Sequence, residues 1–345
     1  FLAYYKTSYF DEAAKSYYSY IDRDLPFSFH DLYGKFSLFS GEVFKANLYG
    51  FSFSDHSGSQ GSAFDYSWKN QGFGSNFFIS PPQSSLLMQI FFAVSGFKME
   101  LEEASYRPRE SGVNSVNLGI RINKYMGSHY FKYGLEVLTL KTAYYYYSTD
   151  YNQTEQSNNS SEVSGYFSFF GNYNKFLIRP GIRFTLYSAL NKFSMEPRLS
   201  MKYLVTDRFR LKVAGGLYTQ NLISAVSDRD IVTYFRGYLS APVNIAATNG
   251  KSNTDYSLQE AWHVIFGSEI EIGKRFFLNL EAYYKGYPQL INYNRDKLLN
   301  EYDHPEEPDI LTRDFILETG YSQGIETSLD YKSNRLILSL IYSLS

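Results

Sequence analysis

Apolar and polar positions alternate strictly through most of the chain. In "DRFRLKVAGGLYTQN", Phe209, Leu211 and Val213 stand on one side of an extended backbone and Arg210 and Lys212 on the other, before two glycines lead to Tyr218 and Gln220. The same period of two sets Phe176, Ile178, Pro180, Ile182, Phe184 and Leu186 against Arg179, Gly181, Arg183, Thr185 and Tyr187. Met195, Pro197, Leu199, Met201 and Tyr203 oppose Glu196, Arg198, Ser200 and Lys202. Further on, Trp262, Val264, Phe266, Ile270 and Ile272 oppose His263, Glu269 and Glu271, and Leu278, Leu280 and Ala282 oppose Asn279, Glu281 and Tyr283. A period of two is the signature of β-strands with one face against an apolar medium and the other against water or polar partners.

Strand length and turn placement narrow the choice of medium. Alternating runs of about 10 to 14 residues exceed the usual length of strands in soluble sheets and suit strands tilted across a bilayer. Tight turns rich in Gly, Pro, Asn, Asp and Ser fall at Ser40-Gly41-Glu42, Pro81-Pro82-Gln83, Gly127-Ser128-His129, Asn172 to Lys175, Thr206-Asp207-Arg208, Gly273-Lys274-Arg275 and Lys332-Ser333-Asn334. Between successive turns lie two strand-like runs and a longer polar stretch, such as 55–65, 148–162, 224–257 and 292–314. The pattern predicts about fifteen antiparallel strands in an up-and-down meander, with short turns at one end and long loops at the other. Pro180 and Pro197 predict bulges, since each removes a ladder donor.

Both ends of the chain, "FLAYYKTSYF" and "RLILSLIYSLS", are patterned as strands. The expectation is a segment of a larger sheet, completed by chain before residue 1 and after residue 345 or by another subunit, because a bilayer does not tolerate an open strand edge.

Composition supports a membrane wall. Of 345 residues 19% are aromatic, with 34 Tyr and 29 Phe, a level suited to rings lying at a membrane surface. A net charge of −2 gives no basic footprint for nucleic acid, and the absence of cysteine removes disulfides, thiolate nucleophiles and zinc-thiolate sites. No run of about 18 uncharged apolar residues offers a helical span, which leaves a β-barrel open.

No catalytic motif stands out, neither a nucleophile elbow nor a phosphate loop nor a zinc-protease helix. His30, His56, His129, His263 and His304 lack metal-ligand spacing, and no metal or cofactor is assigned. The acidic stretch "EYDHPEEPD", Glu301 to Asp309, reads as a solvated loop in preference to a calcium site, because it lacks a loop glycine and regular ligand spacing. Asn152, Asn158 and Asn159 read as loop polarity.

Four stretches carry a family resemblance: "LPFSFHDLYGKFSLFS", "FSMEPRLSMKYLVTDRFRLKVAGGLYTQNL", "RFFLNLEAYYKGYPQLINYN" and "YSQGIETSLDYKSNRLILSLIYSLS". Together they resemble the barrel of TonB-dependent outer-membrane receptors. The resemblance implies an all-β fold, a transmembrane antiparallel up-and-down β-barrel of about 22 strands, of which residues 1–345 supply about fifteen. It implies an outer-membrane transporter that imports a scarce ligand such as a siderophore, glycan or peptide. The expected partners are outer-membrane lipid, an inner-membrane energy-coupling protein reached through a plug, and in some systems a surface lipoprotein. The family's plug domain, its coupling motif and its closing strands have no counterpart in these residues. A passive porin or structural barrel shares every strand feature and is the alternative, followed by a soluble all-β binding protein.

On this reading Arg179, Arg183, Glu196, Arg198, Lys202, Arg210, Lys212, Glu269 and Glu281 are charges of the lumen wall. Either they pair with each other and with a plug, or some contact an anionic or polar ligand. Arg210 and Lys212 follow a short turn and belong to the periplasmic end. Tyr218, Gln220 and His263, near the outer rim, are the candidate ligand contacts.

Overall fold

The computed structural model describes residues 1–9, 13, 16–17, 27–58, 64–103, 106–147, 153–225, 235–246, 258–294 and 296–345. The chain forms β1 (Leu2–Thr7), β2 (Phe27–Ser40), β3 (Phe44–Ser57), β4 (Phe64–Ile79), β5 (Leu86–Glu103) and β6 (Tyr106–Met126). It continues with β7 (His129–Tyr147), β8 (Gln153–Tyr173), β9 (Phe176–Tyr187), β10 (Lys192–Thr206), β11 (Phe209–Gln220), β12 (Leu222–Ala225) and β13 (Gly237–Ser240). The last strands are β14 (Gln259–Ile272), β15 (Phe276–Tyr293), β16 (Phe315–Lys332) and β17 (Ile337–Leu344). All but β12 and β13 join one 15-stranded antiparallel sheet in chain order, the meander predicted from the turns. The tight connections at 41–43, 81–85, 127–128, 174–175, 207–208, 273–275 and 333–336 share one end. Left-handed backbone at Gly41, Gln83, Gly127, Asn174 and Gly273 lets five of them reverse within a few residues.

The two faces have inverted polarity relative to a soluble protein. Phe266 is 60% exposed, and Met195, Leu199, Leu186 and Ile325 are also exposed on its face. The opposite face carries the charges, and Glu196, Thr185, Ser164 and Ser194 are buried there. A soluble monomer rarely shows so extensive an apolar face to water. A lipid environment resolves the mismatch, since only the outward face of a membrane barrel must be apolar.

The prolines do not make bulges. β9 and β10 stay in register from Lys192↔Tyr187 to Tyr203↔Phe176, with Pro180 opposite Leu199 and Pro197 opposite Ile182. Each proline instead breaks the ladder on its other side. The β8–β9 pairing lapses between Ser168↔Gly181 and Gly171↔Ile178, and the β10–β11 ladder ends at Arg198↔Gly216, next to Pro197. A missing N–H removes bonds on the one side to which it would have pointed, and the opposite ladder need not shift.

Two polar stretches also depart from the loop expectation. Residues 153–162 extend β8, so Asn158 and Asn159 belong to a strand paired with Thr142 and Lys141 of β7. Asn152 lies outside the described residues. The segment after β11 turns into the concave side of the sheet, and its hairpin β12–β13 packs against β6, β7 and β8. These two departures have one cause. The inward side chains at the top of the wall are polar because they bind the backbone of the hairpin segment and the Asn221 side chain that leads into it. Asn221 Nδ2 donates to Ser160 Oγ at 2.6 Å, Ser240 N to Thr142 Oγ1 at 3.1 Å, Tyr238 N to Ser111 Oγ at 2.9 Å and Asn158 Nδ2 to Ala241 O at 3.1 Å. Gln156 brackets Val243, donating to its carbonyl at 3.0 Å and accepting from its N–H at 3.3 Å. Satisfying these backbone groups is what allows irregular chain to be buried.

Beneath these bonds lies an apolar cluster of Met99, Leu101, Tyr144, Tyr146, Ile223, Phe235, Leu239, Ile245, Ile291, Tyr293 and Phe315. Gly237 lies so close to the Tyr144 ring that a Cβ would stand 1.9 Å from it. The sheet curls around this cluster. Tyr146 of β7 meets Tyr293 of β15 at 5.1 Å between ring centroids, although β8 to β11 and β14 separate those strands in the sheet.

Candidate functional site

The wall charges divide into two groups. Near the short turns, β10, β11, β14 and β15 hold a closed ion-pair network. Lys202 Nζ lies 2.8 Å from Glu269 Oε1, and Lys212 Nζ lies 3.4 Å from that same oxygen and 2.5 Å from Glu281 Oε1. Arg210 reaches Glu271 at 2.6 Å and Glu269 at 3.8 Å, and Asn279 accepts from Lys212 at 2.6 Å. Every cation here has a carboxylate, as a wall that must neutralise itself requires. Sequence alternation had placed these residues on one face. Their pairing depends on register, with Lys202 opposite Lys212 and Arg210 opposite Glu269.

The second group is different. A cavity of 430 Å³ on the concave face is lined by Arg121, Lys132, Arg179, Arg183 and Arg198, with Glu136 the one carboxylate among its described lining residues. Arg183 Nη2 donates to Ser164 Oγ at 2.9 Å and lies 3.7 Å from Glu136. Arg198 pairs at 2.5 Å with Glu196, which also accepts from Thr219 Oγ1 at 2.7 Å. Arg121 donates to Tyr166 Oη and Gln89 Oε1, each at 3.2 Å, and Arg179 donates to Tyr130 Oη at 2.7 Å. Lys132 sits over the Tyr166 ring at 6.0 Å. Among the described residues Arg121, Lys132 and Arg179 have no carboxylate within 4.0 Å. Arg121 and Lys132 were missed in the sequence, although "NLGIRINKY" and "HYFKYGLEV" alternate in the same way as the strands that were read.

The three candidate ligand contacts come together. Tyr218, Gln220 and His263 line a second cavity of 370 Å³ with Gln259, Glu260 and Tyr287. The Tyr218 and His263 rings stack at 4.5 Å, and the Arg198 guanidinium covers the Tyr218 ring at 4.5 Å. Tyr218 and His263 therefore join this cavity to the basic one. Gln220 ends β11 where the chain turns in to the hairpin.

The long connection after β15 packs against the same end of the wall. Asp314 accepts from Thr154 Oγ1 at 3.0 Å, from Asn244 Nδ2 at 2.9 Å and from Lys297 Nζ at 2.6 Å, which ties β8, the hairpin segment and this connection together. In the acidic stretch Glu301 lies 2.6 Å and Asp309 3.5 Å from Arg313, so both carboxylates have a cationic partner. No group of three or more His, Asp or Glu suited to a metal occurs among the described residues.

Comparison with solved structures bears on the fold. The chain is similar to a variant of the ferric enterobactin receptor of Pseudomonas aeruginosa, at 10% identity and a TM-score of 0.65, covering 92% of this chain and 51% of that one. The fold is that of an outer-membrane receptor barrel. A siderophore receptor of Acinetobacter baumannii aligns at 12% identity and a TM-score of 0.65, over 92% of this chain and 52% of that one. The copper transporter OprC aligns at 11% identity and a TM-score of 0.60, over 93% of this chain and 54% of that one. The chain thus spans about half the length of these receptor-barrel structures. No family model matches the sequence, and no curated protein does.

Proposed function

We propose that this chain is most of the wall of a TonB-dependent receptor in the bacterial outer membrane, importing a scarce nutrient and catalysing no reaction itself. The observation that carries this reading is the inverted sheet, apolar outside and charged inside, in a receptor-barrel fold. On this proposal residues 1–345 are one partial barrel of about 22 strands, and a plug contributed by further chain fills the lumen and meets the inner-membrane coupling protein. Tyr218, Gln220 and His263 receive ligand from the loop end. The basic cavity lies next on its way inward.

The alternative is a passive porin, which shares the wall. Uptake by intact cells separates the two. Cells carrying the full-length protein are offered radiolabelled ferric siderophores, oligosaccharides and peptides, with and without an uncoupler that collapses the inner-membrane proton gradient. Uptake of one class that stops with the uncoupler supports the receptor. Uptake that continues at the same rate assigns the protein to the porins.

A further inference from the structure

We propose that the basic cavity is a binding site for a small oligo-anion, a solute bearing two or more carboxylate or phosphate groups. The inference deepens the transport reading and rests on it for the direction from which the anion arrives.

Register shows how the site is built. One row across the wall runs Arg121, Gly134, Tyr166, Arg183, Glu196, each directly opposite the next. A second runs Lys132, Ser168, Gly181, Arg198, Gly216, His263. Arg179 lies opposite Ser200 beside the second row. Long cationic side chains are thus separated by Gly134 and Tyr166 in the first row and by serine and glycine in the second, which gives a depression with a charged margin. Its contours depend on the small residues. A Cβ on Gly216 would come within 2.9 Å of Arg198 Cγ, and one on Gly134 within 2.7 Å of Tyr166 Oη.

The electrostatics point the same way. Five cations and, among the described lining residues, one carboxylate line the cavity, and Glu196 pairs with Arg198 from beside it, which leaves a formal excess of three positive charges. The neighbouring network on the same wall is neutralised pair by pair, so the excess is local. Clustered like charges in a low-dielectric wall repel each other, and a concave site of one sign concentrates counter-ions. Arg121 and Arg179 are each held by phenol or amide oxygens, which orient the guanidinium without cancelling its charge. That arrangement leaves planar N–H donors for a carboxylate or phosphate, which guanidinium binds in a fork. The cavity faces the lumen side, so the anion is a free solute and not a lipid headgroup.

The test uses the purified full-length protein in detergent, with citrate and pyrophosphate as probes and sucrose as an uncharged control of similar size. Calorimetry should show binding of at least one anion and none of sucrose. Arg121→Gln, Lys132→Gln and Arg179→Gln combined should weaken that binding at least tenfold, while Lys202→Gln in the closed network leaves it unchanged. A triple variant that assembles and binds like the wild type overturns the proposal.

A second measurement needs no variant. In the wild type the bound anion should protect Lys132 from amine acylation and Arg179 from phenylglyoxal, read by peptide mass spectrometry, without protecting Lys202. Absence of protection overturns the proposal, as does carbodiimide crosslinking of Lys132 to an acidic segment of the same protein that already fills the cavity. Binding in detergent needs no proton gradient. Loss of the anion site therefore leaves energy-dependent uptake standing, and loss of energy dependence leaves the anion site standing.

Discussion

Leu239→Ala tests whether the inner hairpin is held by burial. Leu239 is 0% exposed and belongs to the apolar cluster with Met99, Tyr144, Phe235 and Phe315. Its truncation removes buried methyl groups and leaves a void among partners from several strands, a loss of about 3 kcal/mol. The hairpin touches the wall through this cluster and through the polar bonds of Asn221 to Ser160, Ser240 to Thr142 and Ala241 to Asn158. The destabilisation should therefore fall on local opening of the hairpin, with the 15-stranded sheet unaffected. Since about 1.4 kcal/mol is a factor of ten, opening should rise on the order of 100-fold. Hydrogen exchange by mass spectrometry reads it directly. Peptides covering 221–225 and 235–246 should exchange faster by that factor, and peptides of β7 and β8 below the hairpin should keep wild-type rates. Val243→Ala is the control. That side chain is 57% exposed, and its loss should change stability by less than about 0.5 kcal/mol. Unchanged exchange in the hairpin of Leu239→Ala would refute the reasoning, and equal acceleration throughout the sheet would show that hairpin and wall open as one unit.

Three further outcomes are expected. Phe266→Arg puts a charge on the exposed apolar face and should lower assembly by about 2 to 4 kcal/mol near the midplane, seen as loss of the fast-migrating unheated band in electrophoresis; normal assembly would mean that face does not meet lipid. Asp314→Asn removes the buried charge that lies 2.6 Å from Lys297 Nζ, the two side chains being 9% and 11% exposed. It should cost about 3 kcal/mol and speed protease cleavage within 294–314, and unaltered cleavage would show that the hub does not hold that connection. Glu269→Gln removes the carboxylate shared by Lys202, Arg210 and Lys212. The melting temperature in detergent should fall, and more so at low than at high salt, because unscreened cations then repel; a salt-independent change would exclude that cause.

Much of the wall was legible because its signals are local. A period of two assigns each side chain to a face from its immediate neighbours, and Gly, Asn and Pro mark the reversals, so strand number, order and inside-out polarity could be read from runs such as 195–203 and 276–284. The polar run 153–162 misled for the same reason, as did the described parts of 224–257, residues 224–225 and 235–246; the rest of that run lies outside the described residues. Locally they look like loops, and only the hairpin's backbone on the far side of Thr142, Gln156 and Ser160 makes their polarity useful.

The sequence by itself determined a meander of amphipathic strands with charge on one face, because alternation along an extended chain is a property of adjacent residues. Tertiary structure decided which charges cancel and which remain. Lys212 finds Glu281 from 69 positions away, while Lys132 meets the Tyr166 ring and, among the described residues, no carboxylate within 4.0 Å. Register and curvature set such meetings, and neither is written in any single strand. The same holds for the inner hairpin, whose apolar cluster draws on residues from Met99 to Phe315 and exists only once the sheet has curled to bring them together.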